Sequence, residues 1–258
     1  MSAILDTNEL TVTYGGLNAN DGINITVERG QFVGLIGPNG AGKTTFIDAI
    51  TGFAPISKGT VTFDDADITK LLPHKRARAG LGRTWQSLEL FEDLTVIDNL
   101  LAVSEERKWW SFLADLVLPN RNKQIRVEAE AALELVGLSA QAKMFPSELS
   151  QGQRKLVGVA RAVVQKPKLI LLDEPAAGLD TAESQELGRR MRTLLDQGVS
   201  VLLIDHDMGL VLSVCDYLYV LDFGRVIAQG TPTEVRSNPK VIEAYLGSAG
   251  GDLSEGGH

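Results

Sequence analysis

The run Gly37-Pro38-Asn39-Gly40-Ala41-Gly42-Lys43-Thr44-Thr45 fits the pattern G-x-x-x-x-G-K-[ST], and its residue types suit the holding of phosphate. Glycines at 37, 40 and 42 let the backbone curl around phosphate oxygens and aim N–H groups at them. The helix expected from Lys43 to about Ile50 adds its positive N-terminal end. Lys43 offers a mobile positive charge to the β and γ phosphates, Thr44 a hydroxyl suited to Mg²⁺, and Thr45 a further phosphate contact. Much later in the chain, Asp173 and Glu174 follow an apolar run, Lys168 to Leu172, bounded by Pro167 and Pro175. One carboxylate is placed to hold Mg²⁺, directly or through water, and the other to polarise an attacking water. Cation, hydroxyl and acid pair together point to hydrolysis of a nucleoside triphosphate.

Strands must carry these groups to one place. Phe32, Val33, Leu35 and Ile36 read as a buried strand feeding the glycine-rich loop, and Lys168 to Leu172 is too short for a helix and reads as a central parallel strand. Ligands of open α/β sheets bind at the carboxyl edge, so Asp173 and Glu174 are expected to face the same phosphates as Lys43. A third apolar strand, Val199 to Ile204, precedes Asp205 and His206. Residues from about Ile4 to Gln31 alternate apolar and polar, as does the stretch from Val61, which predicts antiparallel strands with one covered face. From about 87 to 165 the pattern is helical, with Gly137 closing a helix that includes Val127. Beyond Pro167, strands and helices alternate as in parallel βαβ units. The predicted class is α/β: a P-loop core with an antiparallel β subdomain and an inserted α-helical subdomain at about 87–165. It forms one domain over 1–247, followed by a mobile Gly-rich tail at 248–258.

The run Leu149-Ser150-Gln151-Gly152-Gln153 narrows the field, and with it the chain resembles an ATP-binding-cassette (ABC) ATPase, with its RecA-like P-loop core, from about Leu10 to Gly247. The resemblance implies that Ser150, Gln151, Gly152 and Gln153 open a helix whose N-terminus addresses the γ-phosphate of ATP held by an opposite subunit. The letters suit this, since Ser is a favoured N-cap and Gly permits close approach. Gln151 stands where the family more often has Gly. The same resemblance implies that Tyr14 stacks on adenine, that Gln86 reaches Mg²⁺ or the attacking water, and that His206 contacts the γ-phosphate. Asp180 corresponds to the acidic residue at the subunit interface, although alone it also reads as a cap for the helix that follows, with Thr181 and Glu183 in its first turn. The site so assembled uses ATP and Mg²⁺, with Glu174, His206 and Gln86 catalytic and Thr44, Gln86 and Asp173 at the metal.

One P-loop and one LSQGQ run in a chain without internal repeats imply a head-to-tail dimer with a second ATPase, the same chain or a paralogue. The runs ending in Gln86, at Glu174 to Asp180 and at Asn238 to Gly247 look most like ATPase subunits of branched-chain amino acid importers. Related importers for urea and short amides share them, and a lipopolysaccharide-type exporter or a soluble ATPase acting on nucleic acid or ribosomes are the alternatives. Implied partners are transmembrane permease subunits and, indirectly, an extracytoplasmic binding protein, which places the chain on the cytoplasmic face of the membrane. Trp109, Trp110 and Phe112 belong to an extra aromatic segment suited either to a permease helix or to its own domain.

Composition agrees. A chain of 258 residues, 44% hydrophobic, can bury a sizeable core, and its single cysteine excludes an intrachain disulfide. The start lacks the pattern of a signal peptide, and no stretch reaches membrane-spanning length. A formal net charge of −8 argues against a nucleic-acid partner, and the basic run His74 to Arg83 reads as a solvated helix end with a Gly-bounded turn.

Overall fold

The structure is a computed structural model that describes residues 2–84, 90–104 and 120–251. A long hairpin opens the chain: β1 (Ala3–Tyr14) and β2 (Leu17–Glu28) are joined by Gly15 and Gly16, both at positive φ, as a two-residue hairpin turn requires. β3 (Phe32–Ile36) follows and delivers the P-loop to helix α1 (Lys43–Thr51). A second hairpin, β4 (Lys58–Phe63) and β5 (Ala66–Asp67), precedes α2 (Pro73–Ala79) and the short β6 (Leu81–Arg83). Then come α3 (Val96–Ser104), α4 (Asn120–Leu135) and α5 (Gln151–Val163). Gly137 ends α4 at positive φ, and its N–H and that of Leu138 return to the carbonyls of Glu134 and Leu133. β7 (Leu169–Asp173), α6 (Thr181–Arg192), β8 (Ser200–Ile204), α7 (Met208–Val214), β9 (Tyr217–Asp222), β10 (Arg225–Gly230), α8 (Pro232–Arg236) and α9 (Pro239–Gly251) complete the described chain.

The strands form two sheets, one antiparallel in the order β2-β1-β4-β5 and one of six strands in the order β10-β9-β3-β8-β7-β6. Strands β9, β3, β8, β7 and β6 are mutually parallel. Side chains alternate across a strand, so each central strand feeds two cores. Val33 and Leu35, Leu169 and Leu171, and Leu202 and Ile204 meet Phe46, Ile47 and Ile50 of α1 and the inner face of the β1–β2–β4 sheet. Phe32 and Ile36, Ile170 and Leu172, and Val201 and Leu203 face the other way, onto the helices α3 to α7. Helix α1 is thereby held between the two sheets, and Tyr219 ties them together: its hydroxyl accepts from Thr26 N–H and donates to Thr26 C=O.

Two expectations need correction. The last strand is not part of a parallel unit: β10 pairs antiparallel with β9, because Phe223 and Gly224, both at positive φ, make a turn far too short for a crossover. Helix α9, anchored by buried Val241, carries on to Gly251. Residues 252–258 lie outside the described residues. The basic run from His74 is not simply a solvated helix end. Arg76 is buried, and its guanidinium donates to the carbonyl oxygens of Ala49 and Ile50 (2.8 Å each), Leu71 (2.9 Å) and Thr69 (2.9 Å).

Arg76 thus satisfies the last carbonyls of α1 that the helix cannot satisfy itself. Arg76→Met removes the charge-assisted bonds and leaves buried oxygens without partners, so stability should fall by about 3 kcal/mol. Arg76→Lys should recover only part, because an ammonium cannot reproduce the fork. Urea denaturation measures both; a midpoint unchanged in Arg76→Met would refute the capping role.

Candidate functional site

Register sets the geometry of the site. Leu35 of β3 and Asp173 of β7 both stand opposite Ile204 of β8, so the three strands end level with one another. Gly37, Asp173 with Glu174, and Asp205 with His206 therefore leave the sheet on one edge. Gly37 has φ 151°, and a Cβ there would lie 2.1 Å from Leu221 O; the loop passes too close to β9 for any side chain. At Gly42, φ is 100° and a Cβ would meet Ala19 O at 2.5 Å.

The head of α1, like that of α2 behind Leu72, carries no side-chain cap. Ser150, Asp180, Asp207 and Thr231 each cap the helix they precede with a side-chain oxygen, whereas Gly42 at the N-cap of α1 provides none, and the first turn of α1 carries no acidic residue. The first N–H groups of α1 are left for an anion. Lys43 is buried there and its ammonium donates to Gly37 O (2.7 Å) and Pro38 O (3.0 Å). Burial pushes its pKa down, opposed by the nearby charges of Glu174 and Asp173. Asp173 is buried too, and desolvation raises its pKa, opposed by Arg83. A bare helix head, a cation resting on carbonyl oxygens and a desolvated carboxylate opposite fit a triphosphate with a divalent cation. Among the described residues no group of three or more His, Cys, Asp or Glu could hold a metal.

Glu174 has φ 48°, unusual for a side chain other than glycine and costing about 1–3 kcal/mol. Its N–H donates to Ile204 O at 2.7 Å, and its C=O accepts from Ala177 N–H at 3.2 Å. The side chain is a quarter exposed, with His206 Nδ1 at 3.9 Å from one carboxylate oxygen. His206 itself is largely exposed, and its Nδ1 is also 3.8 Å from Asp205 Oδ1. Asp205 is buried. It accepts from Ala176 N–H (3.1 Å) and Asp207 N–H (3.0 Å), stapling the segment after β7 to the segment after β8, and burial raises its pKa.

Ser150 and Gln153 form a reciprocal cap at the start of α5: Ser150 N–H donates to Gln153 Oε1 (3.0 Å), and Gln153 N–H donates to Ser150 Oγ (3.3 Å). Helix α5 starts at Gln151, directly after the Ser150 cap, and Gln151 in the usual glycine position leaves the cap intact. Asp180 accepts from Glu183 N–H at 2.8 Å and caps α6. Tyr14, at the tip of β1, is half exposed. Among the described residues, no hydrogen bond or ion pair joins Tyr14, Ser150 or Asp180 to Lys43 or Thr44. Gln86, Trp109, Trp110 and Phe112 lie outside the described residues.

Two residues escaped sequence reasoning. Lys155 is buried, and its ammonium donates to Ala177 O, tying α5 to the segment that follows Glu174. Burial lowers its pKa, while Asp205 and Glu174 act in the opposite sense. The signal was available: Gly152, Lys155, Leu156 and Val159 lie on the buried face at helical spacing, and a lysine on that stripe needs a partner. Arg83, grouped by sequence with a surface basic run, has a side chain 8% exposed and pairs with both Asp48 (2.6 Å) and Asp173 (3.2 Å).

Similarity to known proteins agrees with this geometry. Residues 20–177 match the family described as ABC transporter, and residues 225–250 the family described as branched-chain amino acid ATP-binding cassette transporter. The high-affinity branched-chain amino acid transport ATP-binding protein BraF of Pseudomonas aeruginosa is 41% identical over 251 residues, which cover 95% of this chain and 98% of BraF. The lipopolysaccharide export system ATP-binding protein LptB of Escherichia coli is 38% identical over 245 residues, 95% of this chain and 98% of LptB. The crystal structure of the ADP conformation of MJ1267, an ATP-binding cassette of an ABC transporter, superposes with a TM-score of 0.85 at 35% identity, covering 96% of this chain and all of that one. With matches of this extent over the residues that build the site, the chain belongs to the ABC transporter family as an ATP-hydrolysing subunit.

Proposed function

We propose that this chain powers an importer for branched-chain or related amino acids, as one of two ATPases paired head to tail beneath permease subunits. The head of α5 carries the paired reading. Ser150 and Gln151 are exposed there, and among the described residues Ser150 makes no hydrogen bond to Lys43 or Thr44 of its own chain. That capped N-terminus suits the γ-phosphate of ATP on a second subunit. The amino-acid cargo is supported by the match over 225–250 and by what BraF transports.

In this reading Tyr14 stacks on adenine, and the segment Gly37 to Thr45, including Pro38, Asn39 and Ala41, wraps the phosphates. Thr44, Asp173 and Gln86 hold Mg²⁺, which neutralises developing charge on the phosphates when bound. Glu174 polarises the attacking water, His206 turns onto the γ-phosphate, and Asp180 meets the partner across the interface. Lys155 keeps the segment after Glu174 in register with the head of α5, so the two half-sites of one chain move together.

Among the described residues no helix is long and apolar enough to cross a membrane. In this reading work on a membrane passes through the permease. A groove of about 430 Å³ lined by Phe53, His74, Arg83 and Gln165 lies beside β6, the strand that leads toward Gln86. Phe53 is 57% exposed, and an apolar permease segment seated there would touch the strand next to the metal carboxylate. Such docking puts the chain on the cytoplasmic face of the membrane, with an extracytoplasmic binding protein choosing the cargo.

Reconstitution with the permease and ATPase chains that co-purify should give ATP-dependent uptake of leucine, isoleucine or valine. Uptake of urea or a short amide would replace the cargo, and extraction of lipid with no uptake would replace import by export. Glu174→Gln should slow hydrolysis by roughly 10²–10⁴-fold and let an ATP-bound dimer accumulate on gel filtration; near-normal turnover would remove the catalytic role. Lys155→Met should lower kcat by about 10–100-fold with KM for ATP little changed, and Lys155→Arg should restore most of it. An unaltered kcat in Lys155→Met would show that the link to Ala177 is only structural.

A further inference from the structure

Arg83 is the last residue of β6 and stands opposite Leu171 of β7, two residues before Asp173 and so on the same face of the sheet. That face is covered by α1. From there the guanidinium reaches in two directions. One nitrogen, Nη1, donates to Asp48 Oδ1 at 2.6 Å, and the other, Nη2, donates to Asp173 Oδ2 at 3.2 Å. The arginine side chain is 8% exposed and that of Asp173 7%, so both charges are desolvated and each needs the other. Asp48 lies four residues after Thr44 on α1, which puts the two on one face of the helix. The fork of Arg83 therefore spans the gap between the helix face that carries the Thr44 hydroxyl and the strand end that carries the Asp173 carboxylate.

We propose that Arg83 is a positioning residue for the metal carboxylate, fixing Asp173 against α1 so that its second oxygen and the Thr44 hydroxyl meet one Mg²⁺ at a set spacing. The inference rests on the reading of Thr44 and Asp173 as metal-holding residues. Mg²⁺ demands near-octahedral geometry with oxygens at about 2.0–2.1 Å, so a carboxylate held to one orientation binds it better than one free to rotate. An arginine serves where a lysine would not, since its planar fork holds two carboxylates at once and remains charged when buried. The backbone adds to the constraint: Thr84 N–H donates to Leu171 O at 2.9 Å, pinning the end of β6 to β7 just before the segment that contains Gln86. A displacement of β6 would then pull on Asp173 directly.

The test is equilibrium binding of a fluorescent ATP analogue to the full chain with and without Mg²⁺, together with the thermal midpoint of each variant. In Arg83→Met the tightening produced by Mg²⁺ should shrink by about tenfold or more while metal-free affinity changes by less than about threefold. Asp48→Asn, which keeps the Arg83–Asp173 pair and loosens its anchor on α1, should shift the same ratio by a smaller factor, and Arg83→Lys should fall between wild type and Arg83→Met. A folded Arg83→Met with a lower midpoint and an undiminished Mg²⁺ effect would overturn the proposal and leave Arg83 as structural. Should Arg83→Met fail to fold, Asp48→Asn decides, and an unchanged ratio there overturns it. Asp173→Asn separates the two layers: retention of the full Mg²⁺ effect in that variant would remove the metal role of Asp173 on which the proposal stands.

Discussion

Parallel hydrogen bonding among β3, β8 and β7 is the constraint on which the site depends. Because Leu35 and Asp173 both stand opposite Ile204, three chain segments far apart in sequence leave the sheet at the same height. Burial on both faces holds that register: a slip of one residue would exchange the set facing α1 with the set facing α3 to α7. The segments at the edge can consequently be short. Gly37 turns against the carbonyl of Leu221 on β9, and Glu174 is held at positive φ by bonds from its own N–H to Ile204 and to its own C=O from Ala177.

Charge is then arranged on that edge in alternation. Lys43 faces Asp173 and Glu174, Arg83 lies between Asp48 and Asp173, and Lys155 feels Asp205 and Glu174. Each of the buried groups would be costly alone, and the neighbour of opposite sign offsets the cost. Lys43 and Asp173 are buried, and where solvent is scarce a developing phosphate charge is most strongly affected by fixed groups. The links also run through the backbone, since Asp205 binds the N–H of Ala176 and Lys155 the C=O of Ala177, so the residues beyond Glu174 have little freedom of their own.

Much of this was legible in the residues. The P-loop, the strand that feeds it, the acid pair after Leu172 and the Ser150 cap all announce themselves through local pattern, because each depends on neighbours in sequence. What the sequence concealed depends on partners far away. Arg76 and Arg83 look alike on paper, members of one basic run, and only the packing of α2 and β6 against α1 turns one into a helix cap and the other into a bridge to Asp173. The hairpin between β9 and β10 was missed for a different reason. Phe223 is a poor turn former by composition, yet with Gly224 it takes positive φ and reverses the chain. Lys155 was readable in principle, since it falls on the apolar stripe of α5, but its partner is a backbone carbonyl that no letter encodes.

Arg76 has one further effect, which concerns how an anion finds the site. A helix carries partial charge of opposite sign at its two ends, and in α1 the guanidinium sits on the negative end while the positive end lies bare beneath the P-loop. Cancelling the far pole turns a short dipole into something closer to a single buried positive pole. Yet the chain as a whole carries a formal charge of −8, and at distance it repels a polyanion. Attraction sets in only within about a Debye length, roughly 8 Å in physiological salt. Capture at this loop is therefore a short-range event, governed by fit at the helix head and little assisted by long-range steering, and added salt should ease the approach of a nucleotide more than it weakens its final grip.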